Sequence, residues 1–521
     1  MRIAAVFTAL ALIIALPFAL KPKEDLLAAA DDQVVIVTPH NEQIRYEFSR
    51  AFGEYYRHKT GRTVRIDWRM PGGTSEIARF IRSEYYAAFE QFWKSSGRIW
   101  TGEAAGTFDD LRAQTEARRQ FLASDVGIGI DIFFGGGAFD FEQQADAGRL
   151  VDCEIIKNRP EWFNDSSIPH TVSGEIFYDA GGRWIGAALS SFGICYNSDS
   201  LRRLRVSEIP AAWSDLGDPR LIKQVALADP TKSGSAAKAF EMIIQQQMQD
   251  VLRSLDHPVD EQEALELGWA RGLQVIQRAS ANTRYFTDSA SQVPVDVSVG
   301  DAAIGMCIDF YGRFQSEAVQ IGDQRSRLQY FTPKGGSSVG VDPIGLFRGA
   351  PNATVAKMFI EFVLSLEGQK LWDFKVGVPG GPAKYALRRQ PVRKGLYGAE
   401  FAEYRSDPGI DPYREAESFV YHPSWTAPLF KTLSFVIRIM CLDSHDEQVA
   451  AWTSLVNAGF PPKATAVFSD VNNVGYKTAM DKIRPTLSAA NRIDEVQLAR
   501  ELGNHFRAQY RAAEQLAKAG E

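Results

Sequence analysis

Four short apolar runs, each ending in a loop of small polar residues, constrain the fold of this chain most strongly. They occupy residues 34–38 (VVIVT), 63–70 (TVRIDWRM), 131–134 (DIFF) and 225–228 (VALA). Each run has the length and composition of a strand, and a helical pattern follows the first, second and fourth. Because strands that alternate with helices form parallel sheets, this order predicts an α/β fold.

The loops after these strands are the first candidate binding elements. They are residues 38–41, 72–75, 135–137 and 231–235. A helix N-terminus carries unpaired N–H groups and a partial positive charge, and Gly or Ser lets a ligand approach that backbone closely. Ordinary N-capping explains any single loop equally well. Four loops at one sheet edge favour a site for a small anion or polar solute, since open α/β sheets bind ligands there.

The N-terminal segment predicts export. Arg2 precedes an apolar run over residues 3–20, and Lys21 and Lys23 follow it. This pattern fits a cleaved signal peptide, yet the run is long enough for an uncleaved anchor. Both alternatives stay open for residues 1–30, and both place the protein in the periplasm or another extracytoplasmic space. No second segment of the sequence was expected to span a membrane.

Composition excludes several classes of function. The chain has 58 Lys and Arg against 64 Asp and Glu, a net charge of −6, which argues against a general nucleic-acid binder. The four cysteines are far apart and form no CxxC, which excludes a zinc ribbon or a thioredoxin-type site. They are interpreted as small buried hydrophobic residues, although disulfides are allowed in an exported protein.

Signatures of common enzymes are absent from the sequence. It contains no HExxH, no G-x-S-x-G and no GxxxxGK[ST], and its seven histidines have no metal-ligand spacing. We therefore predict neither catalytic activity nor a resident cofactor. Two long segments have no assigned role: residues 83–125 are predicted to be a helical insertion, and residues 396–521 a mainly helical extension.

Several segments resemble the extracellular solute-binding proteins of ATP-driven importers, in the ferric-iron-type group. The matching pieces are VVIVTPHNEQI (34–44), DIFFGGG (131–137), GRWIGAALSSFGICYN (182–197), LADPTKSGSAAKAF (227–240), GDAAIGMCIDFYG (300–312), DPIGLFRGAPN (342–352), FIEFVLSLEGQKLW (359–372) and GVPGGP (377–382). The resemblance covers about residues 33–390. It implies a type 2 periplasmic-binding-protein fold, in which two interleaved lobes close on a ligand in a hinged cleft.

The resemblance also implies a division of the chain and a partner. Lobe 1 would comprise residues 33–188 and 337–395, and lobe 2 residues 189–336, with crossings near Leu189 and Gly336. A monomer that delivers its solute to a membrane permease is expected, with no role for nucleic acid.

Two ligand classes follow from the resemblance. Iron-binding members combine a histidine or carboxylate with adjacent tyrosines, because phenolates are hard donors. Here His40 and Tyr311 are in place, but Phe310 breaks the tyrosine pair, so iron is the alternative. A phosphorylated or acidic organic solute is favoured. The residues expected to bind it are His40, Asn41, Gly73, Thr74, Ser75, Gly136, Gly137, Ser190, Ser191, Lys232, Ser233, Gly234, Ser235, Asp309, Tyr311 and Asp342.

Individual residues have competing interpretations. His40 is either a site residue or a surface histidine, and Asp309 either accepts ligand hydroxyls or pairs with Arg313 one helical turn away. Trp184 is favoured as a core residue over a stacking platform. Asp342 belongs either to the hinge or to the site. An exported enzyme that uses His40 and Asp309, and a ligand-sensing module, are the alternatives from other classes.

Overall fold

The computed structural model describes residues 30–254, 260–322, 325–489 and 492–521. The predicted leader therefore lies outside the described residues except for its last position. The strands, in chain order, are β1 (Asp32–Val37), β2 (Val64–Arg69), β3 (Ile132–Phe134), β4 (Leu150–Val151), β5 (Thr171–Val172), β6 (Glu175–Ile176), β7 (Ile185–Ser190), β8 (Phe192–Asn197), β9 (Val225–Ala228), β10 (Thr283–Thr287), β11 (Ile304–Ile308), β12 (Leu328–Phe331), β13 (Gly340–Phe347) and β14 (Gln390–Pro391).

The helices complete the framework. In chain order they are α1 (Glu42–Thr60), α2 (Thr74–Ser95), α3 (Gly102–Thr107), α4 (Glu116–Ala123), α5 (Ala138–Asp146), α6 (Ile155–Asn158), α7 (Ser198–Arg203), α8 (Gly234–Ser254), α9 (Glu261–Ala281), α10 (Gln292–Val299), α11 (Asp309–Ala318), α12 (Ala353–Leu364), α13 (Leu366–Asp373), α14 (Pro412–Glu415), α15 (Pro423–Thr426), α16 (Phe430–Ile437), α17 (His445–Asn457), α18 (Pro462–Phe468), α19 (Tyr476–Thr478), α20 (Arg484–Ser488) and α21 (Arg492–Lys518).

The first sheet has the order β14-β7-β13-β3-β1-β2, with β4 paired to β13. Strand β1 lies parallel to β2 and β3, as the strand–helix alternation predicts. Strand β13 returns from much later in the chain and runs antiparallel to β3 and β7. The parallel part of the sheet brings the ends of β1, β2 and β3, and the loops that follow them, to one edge.

The second sheet has the order β10-β9-β11-β8-β12 and forms the centre of lobe 2. Strand β9 is parallel to β10 and β11, whereas β8 is antiparallel to β11 and β12. Strands β7 and β8 belong to different sheets, and only Ser191 separates them. The chain returns to the first sheet between β12 and β13. These two crossings place the strand ends of both sheets around one cleft.

Helix α1 shows how the local sequence specifies an element. The Asn41 side chain accepts a hydrogen bond from the Ile44 N–H at its start, and Gly61 ends it in the left-handed conformation (φ 73°). Ile44, Phe48 and Phe52 recur every four residues and are buried under the first sheet. Full burial of a Phe side chain contributes about 2–3 kcal/mol, which favours the helix only in this packed context.

The segment predicted as an insertion over residues 83–125 is part of the lobe 1 core. Helix α2 runs unbroken to Ser95, so the segment begins inside a helix and ends in the two short helices α3 and α4. Phe89, Phe108 and Phe121 are buried, with ring centroids 5.0–5.2 Å apart. Apolar burial thus attaches the segment to lobe 1.

The C-terminal extension divides between the two lobes. Residues just after β14 stay with lobe 1, where Arg405 pairs with the buried Asp373 at 2.6 Å. From Phe419 onward the buried side chains join the lobe 2 core, and Phe506 and Tyr510 of α21 are fully buried there. Gln277 of α9 donates to the Tyr510 hydroxyl at 3.1 Å. Most of the extension therefore completes the hydrophobic core of lobe 2.

One helical stretch, Pro423–Leu442, has the length and apolar composition of a membrane span, contrary to the expectation from sequence. It contains α15, α16 and a π-helical turn at Arg438–Leu442. Most of it is buried against lobe 2, so its apolar character is explained by the protein core.

Replacing Phe506 tests whether the extension stabilises lobe 2. We expect Phe506→Ala to lower the free energy of unfolding by about 3–5 kcal/mol, because it removes a fully buried ring from a packed core. The matched control is Gln497→Ala on the exposed face of the same helix, with an expected change within about 0.5 kcal/mol. Urea unfolding measures both. Equal, small changes would show that the extension folds independently of lobe 2.

Candidate functional site

A cleft of about 360 Å³ lies between the two lobes, where the predicted loops meet. Lobe 1 supplies the loops after β1, β2 and β3, and lobe 2 the loops after β9, β10 and β11. The lining residues are Pro39, His40, Gly73, Thr74, Glu76, Gly136, Lys232, Ser233, Gly234, Ser235, Asp288, Ser289, Ala290, Ile308, Phe310, Tyr311 and Asp342. Six loops, three from each lobe, thus converge on one site.

Small residues allow this convergence. A Cβ on Gly136 (φ 123°) would lie 2.5 Å from the Thr74 methyl group, so only glycine fits there. A Cβ on Gly73 would lie 3.2 Å from the Lys232 carbonyl oxygen, across the cleft. Helix α2 begins at Thr74 and α8 at Gly234, so two helix N-termini of different lobes face the same space.

The structure keeps several predicted site residues away from this cleft. Asn41 is occupied in capping α1, and neither it nor Ser75 lines the cavity. Ser190 accepts a hydrogen bond from Arg389 at 2.8 Å, and the Ser191 hydroxyl lies 3.2 Å from that of Thr332 behind the hinge. Gly137 and Ser190 both line a second, deeper compartment.

Asp309 does not face the ligand cleft, which corrects its expected role as a hydroxyl acceptor. Its side chain is buried, accepts from the Phe310 N–H at 2.8 Å and pairs with Arg313. Burial raises the pKa of this carboxyl, and the nearby Arg313 opposes that shift. The structure therefore supports the alternative, an ion pair across one turn of α11.

Arg389 is the residue that the sequence analysis missed. Its side chain is 0% exposed, and its Nη2 lies 2.5 Å from Asp342 Oδ2. Nη1 donates to His40 Nε2 at 3.2 Å, and the guanidinium lies 4.1 Å from the ring centre of Phe310 on lobe 2. Nothing in the local sequence Arg388-Arg389-Gln390 distinguishes this arginine, because its partners come from β7, β13 and the loop after β1.

Burial and the contacts with Arg389 also determine the protonation of His40 and Asp342. His40 is buried rather than on the surface, and burial lowers the pKa of its imidazole. A neutral ring fits the hydrogen bond that it accepts from Arg389. Burial raises the pKa of Asp342, but Arg389 and His40 outweigh that effect and hold it below its usual value. Asp342 is thus a charged structural partner at the floor of the cleft.

The remaining candidates divide between site and scaffold. Lys232 lines the cleft and pairs with Asp288 at 2.6 Å in an exposed position. Tyr311 also lines it, and burial raises its pKa to about 12. Trp184 is fully buried in the lobe 1 core, and all four cysteines are buried and free. Among the described residues no group of three His, Cys, Asp or Glu side chains is arranged to hold a metal ion.

The Arg389–Asp342 pair can be tested by a double-mutant cycle. We expect Arg389→Met to cost about 3–5 kcal/mol of unfolding free energy, since it leaves the Asp342 carboxylate buried and unpaired. The double variant Arg389→Met/Asp342→Asn should recover part of that loss, because no uncompensated charge remains. Chemical denaturation of all four proteins gives the coupling energy. Additive effects would mean that the two groups do not stabilise each other.

The sequence is similar to a known protein family and to several of its relatives. The family model of bacterial extracellular solute-binding proteins matches residues 125–391. An uncharacterized protein of Haemophilus influenzae is 26% identical over 241 residues, which are 46% of this chain and 60% of that protein. The phosphoglycerate transport regulatory protein PgtC of Salmonella typhimurium is 22% identical over 187 residues, 36% of this chain and 40% of that protein. The matched region thus spans less than two thirds of either relative.

Two solved structures show similar chains at low identity. The periplasmic binding protein AfuA from Actinobacillus pleuropneumoniae, with fructose-6-phosphate bound, is 16% identical with a TM-score of 0.48 and covers 75% of this chain and 95% of its own. The substrate-binding protein of an ABC transporter from Agrobacterium tumefaciens is 14% identical with a TM-score of 0.49 and covers 80% and 95%.

The matched family region begins before β3 and ends at β14, so it includes both crossings between the sheets. The expected type 2 periplasmic-binding-protein fold, with a helical C-terminal region, is confirmed. Because the family model matches half of the chain, this protein belongs to the bacterial extracellular solute-binding protein family.

Proposed function

We propose that this protein is the substrate-binding component of an ATP-driven importer and captures a small anionic organic solute in the cleft between its lobes. A phosphorylated or carboxylated compound is the favoured solute. The protein acts outside the cytoplasm, after export by its N-terminal segment, and delivers the solute as a monomer to a membrane permease. Closure on the ligand is a population shift, driven by contacts that both lobes make to it.

The observation that carries this proposal is the pair of helix N-termini that face each other across the cleft. Helices α2 and α8 begin at Thr74 and Gly234, both of which line the cavity, and the hydroxyls of Thr74, Ser233 and Ser235 lie beside them. Such ends supply N–H donors and partial positive charge for a phosphate or carboxylate group. A solute that contacts both ends would hold the lobes together.

Three carboxylates near the cleft each have a hydrogen-bond or ion-pair partner within the protein. Their repulsion of a bound anion is therefore reduced. Glu76 accepts a hydrogen bond from the Gly73 N–H at 3.0 Å. Asp288 pairs with Lys232, and Asp342 with Arg389. The phosphoglycerate transport regulatory protein PgtC of Salmonella typhimurium, a relative over part of its length, supports a phosphorylated acid as one candidate.

The site chemistry supports an anion over ferric iron. His40 and Tyr311 both line the cleft, but Arg389 contacts His40 and pairs with Asp342. A fixed guanidinium repels a trivalent cation, and burial raises the Tyr311 pKa to about 12, which opposes formation of a phenolate. Catalysis by His40 and Asp309 is disfavoured as well, because Arg313 holds Asp309 outside the cleft.

Anion binding is tested by calorimetry and thermal shift with 3-phosphoglycerate, ethyl phosphate and inorganic phosphate. We expect at least one to bind, and saturation at 100 times its Kd to add about 2.7 kcal/mol of stability. Thr74→Val and Ser235→Ala should each weaken binding about tenfold, because each removes one hydroxyl partner of the anion. Ser207→Ala, an exposed position on lobe 2 outside the cleft, is the matched control.

Two outcomes would contradict the proposal. No binding of any anion by a folded protein would remove its basis. Binding that is unchanged in both Thr74→Val and Ser235→Ala would place the anion elsewhere on the protein.

The iron alternative has its own spectroscopic test. Addition of ferric citrate is expected to produce no visible charge-transfer band, because the cleft holds a buried arginine beside His40. A band that appears in the unmodified protein and disappears in Tyr311→Phe would overturn this expectation and assign the cleft to iron. Tyr330→Phe serves as a control, since Tyr330 does not line the cleft.

A further inference from the structure

The cleft continues into a second compartment of about 130 Å³, which we call the rear cavity. The residues shared by the two spaces are Gly136, Ser235, Gly234, Ile308 and Asp342. A solute whose anionic group lies at the helix N-termini can therefore extend into the rear cavity past small side chains. The residues that line the rear cavity determine which chemical group the far end of the solute can carry.

The rear cavity differs in chemistry from the cleft. Its walls are mostly apolar and include four aromatic rings, from Phe139, Phe192, Tyr421 and Phe430. Its polar groups are mainly carboxylates, from Asp140, Glu142, Glu175 and Glu241, besides Asp342 at the junction. Lys238 is the one basic residue among its lining residues. Carboxylates and aromatic faces both attract cations.

Lys238 shows how this compartment accommodates an ammonium group. Its Nζ lies 3.0 Å from Glu175 Oε1 of lobe 1 and 3.0 Å from Glu241 Oε2 of lobe 2. The same nitrogen lies 3.5 Å from the ring centre of Tyr421. One cation is thus shared by two carboxylates, which leaves this cluster with a net negative charge. Glu241 Oε2 is buried and has no polar partner besides Lys238 among the described residues, so it retains acceptor capacity.

Asp140 adds a further carboxylate to the rear cavity, with Lys431 as its nearby positive charge. It lies in the first turn of α5, and its Oδ2 would be 3.6 Å from a Cβ at Gly234, on the opposite lobe. No hydrogen bond or ion pair to this side chain is found among the described residues. The neighbouring Lys431 donates to Gln143 at 3.1 Å instead. Burial raises the pKa of Asp140 to about 6, and the positive charge of Lys431 opposes that shift.

We infer that the rear cavity binds a protonated amine, so that the solute is a zwitterion with an anionic group at the cleft helices and an ammonium group at Asp140. The inference rests on the proposed function and narrows it to amine-bearing anions, such as aminoalkyl phosphates. The ammonium group would pair with Asp140 and pack against the rings of Phe139 and Phe430. A hydroxyl group would satisfy hydrogen bonds there but leave the excess negative charge uncompensated, and a second carboxylate would increase it.

Three matched probes test the inference: ethyl phosphate, 2-hydroxyethyl phosphate and phosphoethanolamine. They share the phosphate group and differ only at the far end. Calorimetry at neutral pH should show that phosphoethanolamine binds at least about tenfold more tightly than either other probe, since a charged hydrogen bond replaces an unpaired carboxylate. Asp140→Asn should remove this preference and leave the affinity for ethyl phosphate unchanged. Asp146→Asn, at an exposed carboxylate at the end of the same helix and outside the lining of the rear cavity, is the matched control and should keep the preference.

The outcomes separate this inference from the proposed function. If ethyl phosphate and phosphoethanolamine bind equally well, the anion site stands and the amine site is overturned. If the hydroxyl probe matches the amine, the rear cavity is a hydroxyl site. A preference that persists in folded Asp140→Asn protein would overturn the role of Asp140. If no probe binds to the unmodified protein, while its unfolding transition is intact, the proposed anion site itself fails.

Discussion

The buried guanidinium of Arg389 is the interaction on which the arrangement of the cleft depends. It joins three parts of lobe 1 that are far apart in sequence: Asp342 in β13, Ser190 at the end of β7 and His40 after β1. Its flat face also contacts Phe310 at the start of α11 in lobe 2. A buried charge is costly unless it is paired, so these partners have little freedom to separate. The floor of the cleft is therefore fixed at the point where the chain crosses between lobes.

Two further ion-pair clusters connect the lobes on either side of this floor. Lys238 of lobe 2 lies between Glu175 of lobe 1 and Glu241 of its own helix. On the hinge side, Arg388 contacts Glu317 of α11 and Asp407 of the segment after β14. Both clusters are made between charged groups, which water solvates well when the lobes separate. Separating the lobes at these contacts would expose little apolar surface, which is compatible with the proposed closure on a ligand.

The cleft and the rear cavity differ in the chemical groups that line them. In the cleft, backbone N–H groups at helix starts and hydroxyls provide directed donors, and nearby carboxylates are neutralised by capping or pairing. In the rear cavity, aromatic rings and incompletely paired carboxylates surround a small volume. A single solute that spans both spaces would be selected at each end by opposite charge. If the proposed function holds, this division explains how a chain with a net charge of −6 can bind an anion in the cleft.

Much of the fold followed from local patterns. The strands over residues 34–37, 64–69 and 132–134, and the small-residue loops after them, were predictable because strand and helix signals are local in sequence. Gly73, Thr74 and Gly136 lie at one edge of the first sheet as predicted, since parallel strands end on the same side. Residues 233–235 do not share that edge, because they follow β9 of the second sheet and face it across the cleft. The limits of helix α2 and the packing of residues 83–125 in the lobe 1 core were not predictable from sequence, because burial of a side chain depends on residues that are distant in the chain.

Sequence alone determined the fold family, the position of the cleft and the kind of loop that lines it, because each depends on backbone periodicity and on residues adjacent in the chain. Only the tertiary structure decided the partners of the charged side chains. It paired Asp309 with Arg313 outside the site, placed Arg389 behind the cleft as the partner of Asp342, and left Asp140 without an ion pair beside the opposite lobe. The physical reason is that Coulomb interactions and desolvation depend on distance and burial, which nothing in the order of residues along a chain specifies directly.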